Sequence, residues 1–128
     1  MKKILCIEDD FNSQLLLKMC FRRTEYDSTI VSNGERALAL LEEQTFDLVL
    51  SDWNLNGKLT ADALIHSLYT YTNKTNTPLL VVSADHSLIK GEMVAPEMVA
   101  RILYKPIIKS ELIKQLSDIL KLSTTSIL

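Results

Sequence analysis

The chain has 128 residues, 14 of them Lys or Arg and 16 Asp or Glu, for a net charge of −2. That length suits one domain that buries roughly two-thirds of its unfolded surface, and the near balance of charge excludes a broad basic field for nucleic acid or an anionic membrane. The longest apolar runs, such as Leu79 to Val82, are too short to span a bilayer, so the expectation is a cytoplasmic protein whose partners are recognised locally.

Lys3 to Ile7 predicts a first strand, short and rich in Ile and Leu, and it ends on Glu8-Asp9-Asp10. A helix follows, with Phe11, Leu15, Leu16, Met19 and Cys20 as its apolar stripe. Ser28 to Val31 predicts the second strand, and Ala37, Leu38 and Leu41 mark the second helix. Leu48 to Ser51 predicts the third strand, closed by Asp52, and Ala61, Leu64, Ile65 and Leu68 mark the third helix. Leu79 to Val82 predicts the fourth strand, ending on Ser83-Ala84. The helix expected over Ser87 to Val94 is short, because Gly91 lies inside it and Pro96 just beyond. Ile102 to Tyr104 predicts the fifth strand, running into Lys105-Pro106, and Leu112, Leu116, Ile119 and Leu120 stripe the fifth helix. One domain over residues 1–122 follows, with Ser123 to Leu128 as a loose tail. Cys6 and Cys20, with no CxxC, read as buried small hydrophobes rather than ligands or a disulfide.

Alternating strands and helices in the order (βα)5, with strands apolar on both faces, predict a doubly wound parallel α/β sheet. The carboxyl ends of its strands open on one crevice. Glu8, Asp9, Asp10, Asp52, Ser83 and Lys105 therefore meet, although each has an ordinary explanation alone. An acidic run suits a helix N-terminus, Asp and Ser cap turns, and a lysine before proline is commonly solvated. Together they point to phosphoryl chemistry. Carboxylates facing one crevice repel one another, and a hard cation such as Mg2+ relieves that. Lys105 adds positive charge opposite a phosphoryl group, Ser83 offers a hydrogen bond to its oxygen, and the product is an aspartyl phosphate.

In these motifs the chain resembles a response-regulator receiver domain, over essentially residues 2 to 122. Ile4-Leu5-Cys6-Ile7-Glu8-Asp9 resembles the family's strand and acid pair, Ser51-Asp52-Trp53-Asn54 the phosphoacceptor segment, Val82-Ser83-Ala84 the hydroxyl strand end, and Tyr104-Lys105-Pro106 the lysine-proline turn. The resemblance implies a flavodoxin-like strand order 2-1-3-4-5. It implies Asp52 as the residue phosphorylated by a histidine kinase or histidine phosphotransfer protein. It also implies Mg2+ held by Asp9, Asp52 and the Asn54 carbonyl, with Glu8 assisting; the other register of the acid pair is Asp9-Asp10. A phosphoacceptor of this kind catalyses its own phosphoryl transfer and dephosphorylation without conventional turnover. Its output runs through a downstream protein bound at the face of the fourth helix, fifth strand and fifth helix.

The chain departs from the family pattern in three places. Asn56 and Gly57 follow the phosphoacceptor where a proline is usual, and Thr60 stands near the place of a glycine. Ile102 takes the place of the switch aromatic; Tyr104 lies on the same strand face and is expected to share the switching role. Gly91 and Pro96 predict a mobile output face. Two alternatives stand beside this reading: a degenerate receiver that binds a partner without phosphorylation, and a Mg2+-dependent phosphohydrolase with an aspartyl-phosphate intermediate. Against the second, Asp52-Trp53-Asn54 lacks the later acid of a D-x-D motif. No GxxxxGK[ST] or GxGxxG is present. His66 and His86 read as surface or boundary residues, Met93 and Met98 as core filler, and Trp53 either as a rim of the crevice or as packing.

Overall fold

The computed structural model describes residues 1–53, 67, 75–84 and 99–125. In chain order it contains β1 (Lys2–Ile7), α1 (Phe11–Phe21), β2 (Tyr26–Val31), α2 (Gly34–Glu43), β3 (Leu48–Asp52), β4 (Leu79–Ser83), β5 (Val99–Tyr104) and the C-terminal helix α3 (Lys109–Thr125). The five strands form one sheet in the order β2-β1-β3-β4-β5, and every neighbouring pair is parallel. This is the expected doubly wound flavodoxin-like architecture.

Strand alternation sorts the apolar side chains into two cores. Ile4, Cys6, Leu48, Leu50, Leu80, Val82 and Leu103 face one way and pack with Leu17, Cys20 and Phe21 of α1 and Leu112, Leu116 and Ile119 of α3. Leu5, Ile7, Val49, Leu79 and Val81 face the other way, against Ala37 and Leu41 of α2 and Phe46, with Trp53 and Ile102 at the margin. Because β3 and β4 are buried at every position, they read in sequence as unbroken apolar runs rather than as an alternation. Each fully buried aliphatic side chain contributes about 1.5–3 kcal/mol. Both cysteines are buried and free, as small hydrophobes.

Both end strands of the order extend further than their apolar residues suggest. β2 begins at Tyr26 and carries half-exposed Ser28 and Thr29 with exposed Asp27; an edge strand tolerates such residues. β5 begins at Val99, after which the register shifts so that Arg101 lies opposite Leu80. The Arg101 guanidinium reaches back to Gln115 Oε1 on α3 at 3.0 Å, so a charge is accommodated inside the strand.

The face of α1 is a correction. Of the expected stripe only Cys20 is buried, whereas Phe11 is 69% exposed, Met19 63%, Leu15 42% and Leu16 37%. The core side is Leu17, Cys20 and Phe21, an i, i+3, i+4 set in its own right. With apolar residues at nearly every position from 15 to 21, the helical period fits more than one face, and packing against the sheet and α3 selects one. The C-terminal helix runs through Thr125, three residues into the segment expected as a tail.

Several expectations fall outside the described residues: the third helix with His66, the helix over Ser87 to Val94 with Gly91 and Pro96, Asn54, the Asn56-Gly57 turn with Thr60, His86, Met93 and Met98. Among the described residues, no helix is long and apolar enough to cross a membrane.

Candidate functional site

Main-chain bonds continue the sheet ladder past the strands and bring the site residues into register. The Glu8 N–H donates to Val31 O at 3.0 Å, the Trp53 N–H to Val82 O at 2.8 Å, and the Lys105 N–H to Ser83 O at 2.8 Å. Asp52 lies opposite Val82, and Ser83 opposite Tyr104. A parallel sheet thus fixes four strand ends together, although Glu8 and Lys105 are 97 residues apart.

At the centre is a triad of charges. Lys105 Nζ lies 3.0 Å from Asp52 Oδ2 and 3.1 Å from Glu8 Oε1. Glu8 is 2% exposed and Asp52 5%, so the ammonium compensates two carboxylates that water barely reaches. Burial pushes the Glu8 carboxyl up to about 7; the hydrogen bond and charge of Asp52 add to that, and Lys105 and the Asp10 N–H offset part of it. Burial alone would lower the Lys105 ammonium, but the Asp52 and Glu8 carboxylates outweigh it and hold it above its ordinary value.

The acid run divides by role. One carboxylate oxygen each from Glu8, Asp9 and Asp52 lie within 4.8 Å of one another. Hard oxygen donors at that spread suit Mg2+, which keeps part of its water shell and takes one or two carboxylates. Asp10 instead caps α1, its Oδ2 accepting from the Ser13 N–H at 2.9 Å, and that bond holds its carboxyl below the ordinary range. Ser83 is fully buried at the end of β4. Trp53 is half-buried against the α2-side core, which favours the packing reading. Ile102 and Tyr104 are half-buried on β5, Ile102 against that same core. Lys105-Pro106 is a cis peptide.

Two features beside the crevice escaped the sequence reading. Leu16, on the exposed apolar face of α1, lines a cavity of about 360 Å³ together with Ser13, Lys105, Pro106 and Ile107. Gln14 Nε2 donates to the Glu8 carbonyl at 2.7 Å. A glutamine within reach of a helix N-terminus is the only signal of that bond in the sequence.

A family model described as the response regulator receiver domain matches residues 4–117. The chain belongs to this family. As a receiver domain of two-component signalling it is related to the autoinducer 2 sensor kinase/phosphatase LuxQ of Vibrio vulnificus YJ016, at 30% identity over 112 residues, which are 86% of this chain and 13% of LuxQ. The chain therefore spans only a small part of that relative. The chemotaxis protein CheY of Pseudomonas aeruginosa is 27% identical over 84 residues, 65% of this chain and 67% of that protein. Among solved structures, the CheY-like receiver domain from Methanospirillum hungatei JF-1 superposes with a TM-score of 0.86 at 19% identity, covering 98% of both chains. The receiver domain of a sensor histidine kinase from Pseudomonas aeruginosa PAO1, solved with a magnesium ion coordinated in its active site cleft, gives 0.80 at 24% identity, covering 91% of this chain and 95% of that one. At these identities the likeness speaks for the fold.

Proposed function

We propose that this receiver domain is a phosphorylation-dependent switch of a phosphorelay, in which Asp52 takes a phosphoryl group from a histidine kinase or histidine phosphotransfer protein. The observation that carries this reading is the ammonium of Lys105 at 3.0 Å from Asp52 Oδ2, inside a cluster of oxygens from Glu8, Asp9 and Asp52. In the transfer, an Asp52 carboxylate oxygen bonds to phosphorus as the P–N bond of the donor histidine breaks, and the imidazole nitrogen keeps the electron pair. Glu8, Asp9, Asp52 and the Asn54 carbonyl would hold Mg2+, which when bound supplies the positive charge that lets an anionic nucleophile meet an anionic phosphoryl group. Lys105 sits where it can move from carboxylate to phosphoryl oxygen, trading one charge-assisted hydrogen bond for another. The Ser83 hydroxyl donates to a phosphoryl oxygen. Tyr104, its register partner, responds together with Ile102, and phosphorylation biases an existing two-state equilibrium.

The donor must bring its histidine to the crevice, so its surrounding surface lands on the rim. Phe11, Leu15, Leu16 and Met19 are exposed along α1, Leu16 lines the cavity beside Lys105, and Ile108 is 53% exposed; exposed apolar surface of this kind marks interaction sites. Output runs to a downstream protein through β5, α3 and the segment Ser87 to Val94, and residues 1–122 form the receiver unit.

Intact-protein mass after incubation with a small-molecule phosphodonor tests the reading. The expected result is one phosphoryl adduct that requires Mg2+ and is absent from Asp52→Asn. A folded, Mg2+-saturated protein without an adduct would make the chain a phosphorylation-independent binding module.

A further inference from the structure

We propose that Gln14 is a positioning residue for the acid pair Glu8-Asp9, its side-chain amide clamping the peptide plane from which both carboxylates hang. The inference rests on the Mg2+-dependent reading above and adds to it a residue outside the expected ligand set.

The β1–α1 connection is short: β1 ends at Ile7, and Asp10 is already the cap of α1. Within it, Glu8 is held from the sheet side by its N–H on Val31 O at 3.0 Å. Its carbonyl is held from the helix side by Gln14 Nε2 at 2.7 Å. A carbonyl only accepts, so the nitrogen of the Gln14 amide is the donor and the orientation of that side chain is settled. Gln14 itself is anchored by its own N–H on Asp10 O at 2.9 Å, so the clamp is rigid at its base. The peptide joining Glu8 to Asp9 is a planar unit. Holding its carbonyl restrains the plane, and with it the two Cα atoms from which the Glu8 and Asp9 side chains leave the chain. A third bond, from the Asp10 N–H to Glu8 Oε2 at 3.3 Å, ties the Glu8 carboxylate to the next peptide along. Two acids brought together beside Asp52 repel one another and would rotate this short connection apart. Gln14 opposes that rotation without touching the cluster, as outer-shell partners do for metal ligands.

Gln14→Met keeps the length and stem of the side chain and removes its N–H donors. Mg2+ binding, measured by calorimetric titration, is expected to weaken roughly 10-fold, while the melting temperature in EDTA stays close to wild type. Gln14→Ala is expected to weaken binding by the same factor, because the donor rather than the stem is at issue. Thr24→Ala, which removes the hydroxyl that donates to Phe21 O at the far end of α1, serves as the stability control and should leave Mg2+ affinity unchanged. Wild-type affinity in Gln14→Met overturns the inference, and so does an equal loss in Thr24→Ala. A wild-type chain that binds no Mg2+ at all is a different result: it overturns the metal-dependent reading, and this inference with it.

Discussion

Replacing Glu8 by glutamine should stabilise the metal-free protein above neutral pH while weakening its hold on Mg2+. Glu8 is 2% exposed, and its carboxyl is pushed from 4.5 up to about 7, first by burial and then by Asp52. Below pH 4.5 the folded and unfolded chains both carry the proton. Between 4.5 and 7 the unfolded chain has released it and the folded chain has not, so wild-type stability falls as pH rises, by about 1.4 kcal/mol per pH unit. Across that window the loss from this one group is on the order of 3 kcal/mol. The amide of the Glu8→Gln variant does not titrate in this range and still presents an oxygen to Lys105. Urea unfolding in EDTA at several pH values between 4.5 and 8 measures the effect, and subtracting one curve from the other cancels the groups that do not interact with Glu8. At a urea slope of roughly 2 kcal/mol per M, the variant's midpoint should exceed that of the wild type by about 1.5 M more at pH 8 than at pH 4.5. A difference that stays flat with pH would refute the account of Glu8 as a buried acid held near neutrality.

Lys105→Met leaves Glu8 and Asp52 without their shared cation and is expected to cost roughly 3 kcal/mol in EDTA at pH 8, shrinking towards pH 5 as the Glu8 carboxyl takes up its proton; equal costs at the two pH values would contradict it. Mg2+ at about 100 times its dissociation constant should raise wild-type unfolding free energy by about 2.7 kcal/mol, and Asp9→Asn should lose most of that gain in a thermal-shift titration. Leu17→Ala, on the buried side of α1, is expected to cost about 2–5 kcal/mol. Met19→Ser, on its exposed side, should change stability by no more than about 0.5 kcal/mol, yet slow phosphotransfer from a protein donor while leaving small-molecule phosphorylation unchanged. Phosphorylation is expected to shift the Tyr104 ring resonances; ring signals that do not move would remove Tyr104 from the switch.

The architecture was legible in the chain because its signals are local. Buried parallel strands such as β3 and β4 are apolar without a break, and the residues that stop them, Asp52 and Ser83, stand at the end where a parallel sheet gathers its chemistry. Convergence of Glu8, Asp52 and Lys105 follows from strand direction alone, so the candidate site could be assembled without knowing a single distance.

What the residues left open are quantities that depend on a neighbour from elsewhere in the chain. The apolar residues of α1 allow more than one buried face, and contact with the sheet and α3 chooses Leu17, Cys20 and Phe21. Arg101 conceals the start of β5 until Gln115 of α3 is there to receive it. Glu8, Asp9 and Asp10 are equivalent acids by spacing; the fold buries the first, draws the second to the cluster and gives the third to the helix cap. The clamp from Gln14 and the proton held by Glu8 likewise arise from distance and burial. Sequence determines which groups converge, because strand polarity is built into alternating elements. Tertiary packing decides how each group is oriented and charged, because hydrogen bonding and desolvation act only over a few ångströms.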